Sequence, residues 1–300
     1  MARFGQVMTA MVTPFTDDGA LDLDGAQRLA RWLVDHGNDG LIIAGTTGEA
    51  PTLTHDEQVD LVAAVVEAVD VPVIAGTGSN DTASAVRNTK RCSDAGASAV
   101  LVVTPYYNRP PQAGIEAHFR TIAAATALPV MMYDIPVRTG RKIATETLLR
   151  LITQVDNIVA LKDAAGNPGV TAGLIADAPE DFEVYSGDDL FTLPLLAVGA
   201  VGTVGVATHW TGLEHQDLFA ALDRGDLATA RAVNQQLLPS FGFESGDLTP
   251  NPIPTKALLN AVGLPAGPCR PPVGPVQVDL GPEALALLSG LRVGAEFGLT

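Results

Sequence analysis

Eight short runs of apolar, largely β-branched residues recur along the chain, each followed by a longer segment in which apolar positions return with helical spacing. The runs are VMTAMVTPF (7–15), GLIIAG (40–45), VPVIAGTG (71–78), AVLVVTP (99–105), LPVMMYDIP (128–136), NIVALKD (157–163), DFEVYSGDD (181–189) and GTVGVAT (202–208). Apolarity that is nearly continuous rather than alternating predicts strands covered on both faces, as in a parallel sheet flanked by helices. Between the runs, DGAQRLARWLVDHG predicts a helix capped by Asp24 and stopped by Gly37, and Thr54 with Glu57 has the spacing of a capping box. An eightfold repeat of roughly 30 residues predicts an α/β fold of the (β/α)8 TIM-barrel type, with a doubly wound open sheet as the alternative.

The pattern changes after the eighth unit. Residues 1–224 predict the barrel, and 225–300 a small C-terminal helical region. That region is Pro- and Gly-rich through TPNPIPTKALLNAVGLPAGPCRPPVGP and helical again through PEALALLSGLR. The most membrane-like stretch, LPLLAVGAVGTVGVAT (193–208), is shorter than a span of about 20 residues and carries three glycines, so it predicts a helix end running into a strand.

Charge narrows the classes of function. A formal net charge of −16 repels phosphate backbones and anionic lipid, which argues against nucleic acid or membrane as partners. Small anionic substrates then need local cationic or amide donors. Cys92 and Cys269 stand far apart without a CxxC pattern, MARFGQVMTA lacks the apolar core of a signal sequence, and together these predict a cytoplasmic protein with reduced thiols.

The site of a barrel enzyme lies at the C-terminal ends of the strands, so the residues closing each apolar run carry the most information. They are GTTGEA after run 2, TPYYNRPP after run 4, YDIPVRTG at run 5, LKDAAGN at run 6 and YSGDD at run 7. Lys162 ends a β-branched run, where it is either a side chain escaping to solvent and pairing with Asp163, or an amine held inside for chemistry. Held inside, it loses solvation of its charged form and becomes free to attack a carbonyl. Thr46 and Thr47 lie in a turn whose glycines permit close backbone approach to a carboxylate, although GTTG by itself is more often just a turn. Tyr133 can pass protons beside the amine or simply pack in the core, and Arg138 can take a carboxylate bidentately or sit solvated in a loop.

Other signals fall short. IAGTGSND has Asp81 where a dinucleotide fingerprint needs its third glycine, so an NAD-dependent oxidoreductase is weakly supported. The histidines form no HxH or HExxH pattern and the cysteines no zinc spacing, so neither metal nor cofactor is implied. Asp188 and Asp189 read as an N-cap pair for the next helix.

GTTGEA, TPYYNRPPQAG, YDIPVRTG and LKDAAGN, in this order, make the chain resemble the pyruvate-dependent class I aldolase superfamily, and within it the dihydrodipicolinate synthase family. The resemblance runs from TAMVTPF to AGPCRPP. It implies a Schiff-base lyase of the diaminopimelate and lysine route, joining pyruvate to L-aspartate-4-semialdehyde. By the same resemblance Lys162 forms the imine, Tyr133 relays protons, and Thr46 links Tyr133 to a Tyr107 that reaches across a subunit interface, usually in a homotetramer. Thr47 would hold the pyruvate carboxylate, Arg138 that of the semialdehyde, and Gly187 and Val204 would line the pyruvate pocket with their backbones.

Relatives that act on other aldehydes, N-acetylneuraminate lyase and the 2-keto-3-deoxy sugar-acid aldolases, share the lysine and tyrosine but usually lack the arginine after the YxIP strand. A non-catalytic binding protein on the same fold is the remaining alternative. The chain departs from the family pattern at Val137, where glycine is usual, and at Gly205, where serine is typical. Lysine-inhibited members carry two histidines and a glutamate at an interface site. Here the matching positions are His55, Gln58 and Ser84, with Asn80 and Tyr106 retained, which predicts weak or absent lysine inhibition.

Overall fold

A computed structural model describes residues 2–299. Eight parallel strands close into a barrel in sequence order. They are β1 (Val7–Ala10), β2 (Gly40–Ile43), β3 (Val73–Gly76), β4 (Ala99–Val103), β5 (Val130–Asp134), β6 (Ile158–Asp163), β7 (Glu183–Ser186) and β8 (Gly202–Gly205). The helices of the outer ring are α1 (Leu23–Asp35), α2 (His55–Ala68), α3 (Thr82–Asp94), α4 (Gln112–Ala123), the single turn α5 (Pro136–Thr139), α6 (Thr145–Gln154), α7 (Pro168–Asp177), α8 (Thr192–Leu196) and α9 (Thr208–Asp223). Four more follow: α10 (Leu227–Phe243), α11 (Ile253–Ala261), α12 (Gly281–Leu288) and α13 (Arg292–Glu296). The barrel is therefore the predicted one, and the open sheet is excluded.

The strands are shorter than the apolar runs that announced them. Met11, Val12 and Phe15 continue the first run but lie in the connection after β1, where they remain buried among α1 and the C-terminal helices. Apolarity marked burial there, and burial outlasts the ladder. Pro136 turns the end of the fifth run into α5, and Thr208 opens α9 at the end of the eighth. The cap of α1 is also corrected. Asp22 accepts from the Gly25 amide at 2.8 Å, two residues earlier than the expected Asp24, which lies in the first helical turn. Thr54 and Glu57 do form the reciprocal capping box of α2.

Side chains alternate across each strand, and this alternation decides what faces the barrel axis. Met131, Tyr133 and Ala160 belong to the inner cluster with Met8, Ile42 and Val204, whereas Met132 and Leu161 join the cluster beneath the outer helices. Lys162, two residues beyond Ala160, follows it inward. Leu237, Phe241, Ile253, Leu258 and Leu280 of the C-terminal region share one apolar cluster with Leu41, Ile43 and Leu29. No described helix is long and apolar enough to cross a membrane.

Candidate active site

Tyr133, Lys162 and Tyr185 stand side by side on β5, β6 and β7. Lys162 is only 5% exposed and its Nζ lies 4.5 Å from the centre of the Tyr133 ring. The alternative in which the lysine pairs with Asp163 is overturned: Asp163 points to the other face, where its carboxylate accepts from the Thr171 hydroxyl and the Ala165 amide. Burial pulls the Lys162 amine down to about 8. Asp189 opposes that shift most strongly, the Arg138 charge adds to it, and Asp188 and Glu244 oppose it further. Burial pushes the Tyr133 phenol up to about 12, with Thr46 opposing the shift, so the phenol is protonated at neutral pH. Tyr185 is committed elsewhere, donating to Glu183 at 2.6 Å and accepting from the Phe4 amide.

The loop after β2 brings Thr46 and Thr47 to this rim. It is bracketed by two non-glycine residues in the left-handed region, Ala44 (φ 56°) and Glu49 (φ 53°), each costing about 1–3 kcal/mol. Such strain persists only where surroundings dictate it. Gly76 supplies part of the setting, because a Cβ there would collide with the Ala44 carbonyl. Thr47 is buried and its Oγ1 accepts from Asn251 Nδ2 at 2.8 Å, which leaves the threonine proton free for an incoming anion.

Gly187 and Val204 complete the setting of the lysine. A Cβ on Gly187 would lie 2.8 Å from Lys162 Cγ, so any side chain there would displace the amine's stem. Val204 is buried in the inner cluster opposite Met8. Asp188 caps the short turn after β7 by accepting from Leu190, as the sequence indicated. Asp189 does not cap. It is buried, accepts from the Val206 amide at 2.7 Å, and keeps Oδ1 without a partner. A Cβ at Gly205 would approach that oxygen to 2.5 Å, which gives the glycine at this position a physical reason. Glu244, at the end of α10, accepts from the Ala207 amide at 3.0 Å; burial and the neighbouring Asp189 charge raise its carboxyl well above the usual range.

A cavity of about 510 Å³ opens over this rim, with Thr46, Tyr106, Tyr133, Arg138 and Asn251 on its wall. Arg138 is exposed on α5 and Val137 beside it is 86% exposed. Tyr107 is not brought to Thr46 within one chain. It is 89% exposed, at a left-handed φ of 72°, while Tyr106 takes the cavity wall. Of the residues singled out in the sequence, the fold thus gathers Lys162, Tyr133, Thr46, Thr47, Arg138, Gly187 and Val204. Asp189, Glu244 and Asn251 were missed as site residues. The clue for Asn251 was its prolines, which signal a shaped turn rather than a linker.

The model of the dihydrodipicolinate synthetase family matches residues 3–290. A 4-hydroxy-tetrahydrodipicolinate synthase from Acidothermus cellulolyticus is 54% identical over 299 residues, covering 99% of this chain and 94% of the relative. The solved dihydrodipicolinate synthase from Bacillus anthracis superposes with a TM-score of 0.92 at 41% identity, covering 97% of this chain and 100% of the other. That from Cyanidioschyzon merolae, solved with lysine bound, gives 0.91 at 41% identity and 99% coverage of both.

Proposed function

The chain belongs to the dihydrodipicolinate synthase family and is an enzyme of its lyase type, and from that premise we propose how its own residues carry out 4-hydroxy-tetrahydrodipicolinate synthesis. The Lys162 amine, neutral in part near pH 8, attacks the keto carbon of pyruvate; loss of water leaves an imine to the lysine. The Thr47 hydroxyl and the backbone of its loop hold the pyruvate carboxylate while Gly187 and Val204 line the space. Removal of a methyl proton gives an enamine, which adds to the aldehyde of L-aspartate-4-semialdehyde. The semialdehyde's amine then displaces Lys162 as the ring closes. Tyr133 gives and takes the protons of imine formation, with Thr46 beside it on the cavity wall. Arg138, exposed on the cavity wall, takes the carboxylate of the semialdehyde by its planar fork.

The observation that carries this reading is a buried lysine without a described ion pair, 4.5 Å from the Tyr133 ring at the C-terminal end of the barrel. Tyr107, exposed here, is the residue by which one subunit completes another's relay, so the working form is a homo-oligomer, a tetramer by the family resemblance, in the cytoplasm. Lysine feedback is weak or absent: Gln58 is tied to Asn88 and the Ala50 carbonyl, Ser84 faces His55 at 3.3 Å, and neither offers a carboxylate to an effector amine. The test of the activity is pyruvate condensation with aspartate-4-semialdehyde, coupled to the downstream reductase, beside N-acetylmannosamine and glyceraldehyde. Turnover with the semialdehyde alone is expected; preference for a sugar aldehyde would keep the lysine chemistry and overturn the acceptor.

A further inference from the structure

Buried Glu49 and Lys256, with half-buried Arg270, form an assembly that the imine chemistry does not use. Glu49 Oε1 lies 2.6 Å from Lys256 Nζ, and Oε2 accepts from the Arg270 backbone amide at 2.9 Å. Lys256 also donates to the Pro268 carbonyl at 2.9 Å and rests 4.2 Å from the centre of the Phe15 ring. The Arg270 guanidinium holds the far side of the same β2–α2 connection, donating to the Thr52 carbonyl at 2.9 Å and to both oxygens of Glu57 at 2.6 and 3.1 Å. Asn251, just ahead of α11, reaches Thr47 itself. The Pro-rich C-terminal segment therefore grips the threonine loop at Thr47, at Glu49 and at Thr52–Glu57.

Glu49 is also the loop's strained exit, an L residue at φ 53°. Its side chain is what its backbone needs: a fixed carboxylate on which the left-handed turn can close. A buried ion pair contributes little net stability over an apolar replacement, so its use here calls for a geometric reason. We propose that the C-terminal segment is the frame of the pyruvate-carboxylate loop, with Glu49 and Lys256 as positioning residues whose ion pair keeps Thr46 and Thr47 in place beside Tyr133 and Lys162. This rests on the assignment of Thr47 to the carboxylate and of Lys162 to the imine.

The experiment is borohydride trapping of pyruvate on Lys162 across a range of pyruvate concentrations, followed by mass spectrometry. It compares wild type, Lys256→Met and the double variant Glu49→Gln/Lys256→Met, each with its Tm and the KM for the semialdehyde. The double variant leaves no unpaired buried charge, so its Tm stays within about 5 °C of wild type, while its half-saturating pyruvate rises about tenfold and the semialdehyde KM is unchanged. A purely structural pair would move Tm alone. A double variant that half-saturates at the wild-type pyruvate concentration overturns the frame; absence of trapping in the wild type overturns the imine assignment on which it rests. Should Lys256→Met fail to fold, the double variant decides. Should both fail, Glu49→Asp, which keeps the charge but draws it back by one methylene, must show the same rise in half-saturating pyruvate or the frame is wrong.

Discussion

Lys162 and Lys256 are both buried, one 5% and the other 2% exposed, and each lies over an aromatic ring, at 4.5 Å from Tyr133 and 4.2 Å from Phe15. Burial lowers the pKa of both amines. They differ in what meets the nitrogen. Lys256 is taken up by Glu49 at 2.6 Å and the Pro268 carbonyl at 2.9 Å, whereas Asp189, Asp188 and Glu244 act on Lys162 without a described ion pair. Burial makes a lysine reactive only where no acceptor has claimed its protons. Where one has, the same residue becomes a fastener.

The sharpest way to break this comparison is to delete each amine. Lys162→Ala is expected to lower kcat by at least about 10³-fold with Tm unchanged or raised, since a desolvated amine is removed; coupled-assay kinetics and calorimetry check both. Tyr133→Phe keeps the ring under the amine and removes the proton carrier, with an expected loss of about 10²-fold or more in kcat. Lys256→Met should instead cost about 3–5 kcal/mol of stability, read from denaturant unfolding, because Glu49 is left charged and unpaired. If Lys256→Met abolished trapping at saturating pyruvate, the division of labour between the two lysines would be wrong.

The pH profile sharpens the contrast further. Attack requires the neutral amine, so the rate of trapping at low pyruvate should fall about tenfold per unit below pH 8 and level off above it. A rate still climbing toward pH 10 would mean that the amine keeps its ordinary affinity for protons. Asp189→Asn removes the neighbour that most favours the ammonium, so the midpoint should move down. The smallest expected effect is that of added lysine, which should leave the rate unchanged; half-inhibition at submillimolar lysine would show that Gln58 and Ser84 do not disable that site.

The barrel was legible because eight strands covered on both faces write eight nearly continuous apolar runs. Their ends were not, since Met11, Val12 and Phe15 are buried as deeply in a connection as in a strand. Lys162 and Tyr133 stood out as polar residues inside apolar runs, and alternation then turned them inward together. Asp189 escaped notice because an aspartate pair after a strand looks the same whether it caps a turn or is buried against the Val206 amide. The Glu49–Lys256 pair escaped for another reason: its partners are distant in the chain, and only the return of α11 to the barrel rim brings them within 2.6 Å. Tyr107 was legible only through resemblance, for within one chain it faces solvent.

The most direct test maps the adduct. The protein is reduced with borohydride in the presence of pyruvate, digested, and every lysine peptide is weighed. A pyruvate-derived mass increment confined to the peptide carrying Lys162, with that carrying Lys256 unmodified, is the expected result. An increment on Lys256, or none on Lys162 at saturating pyruvate and pH 8, would contradict the account.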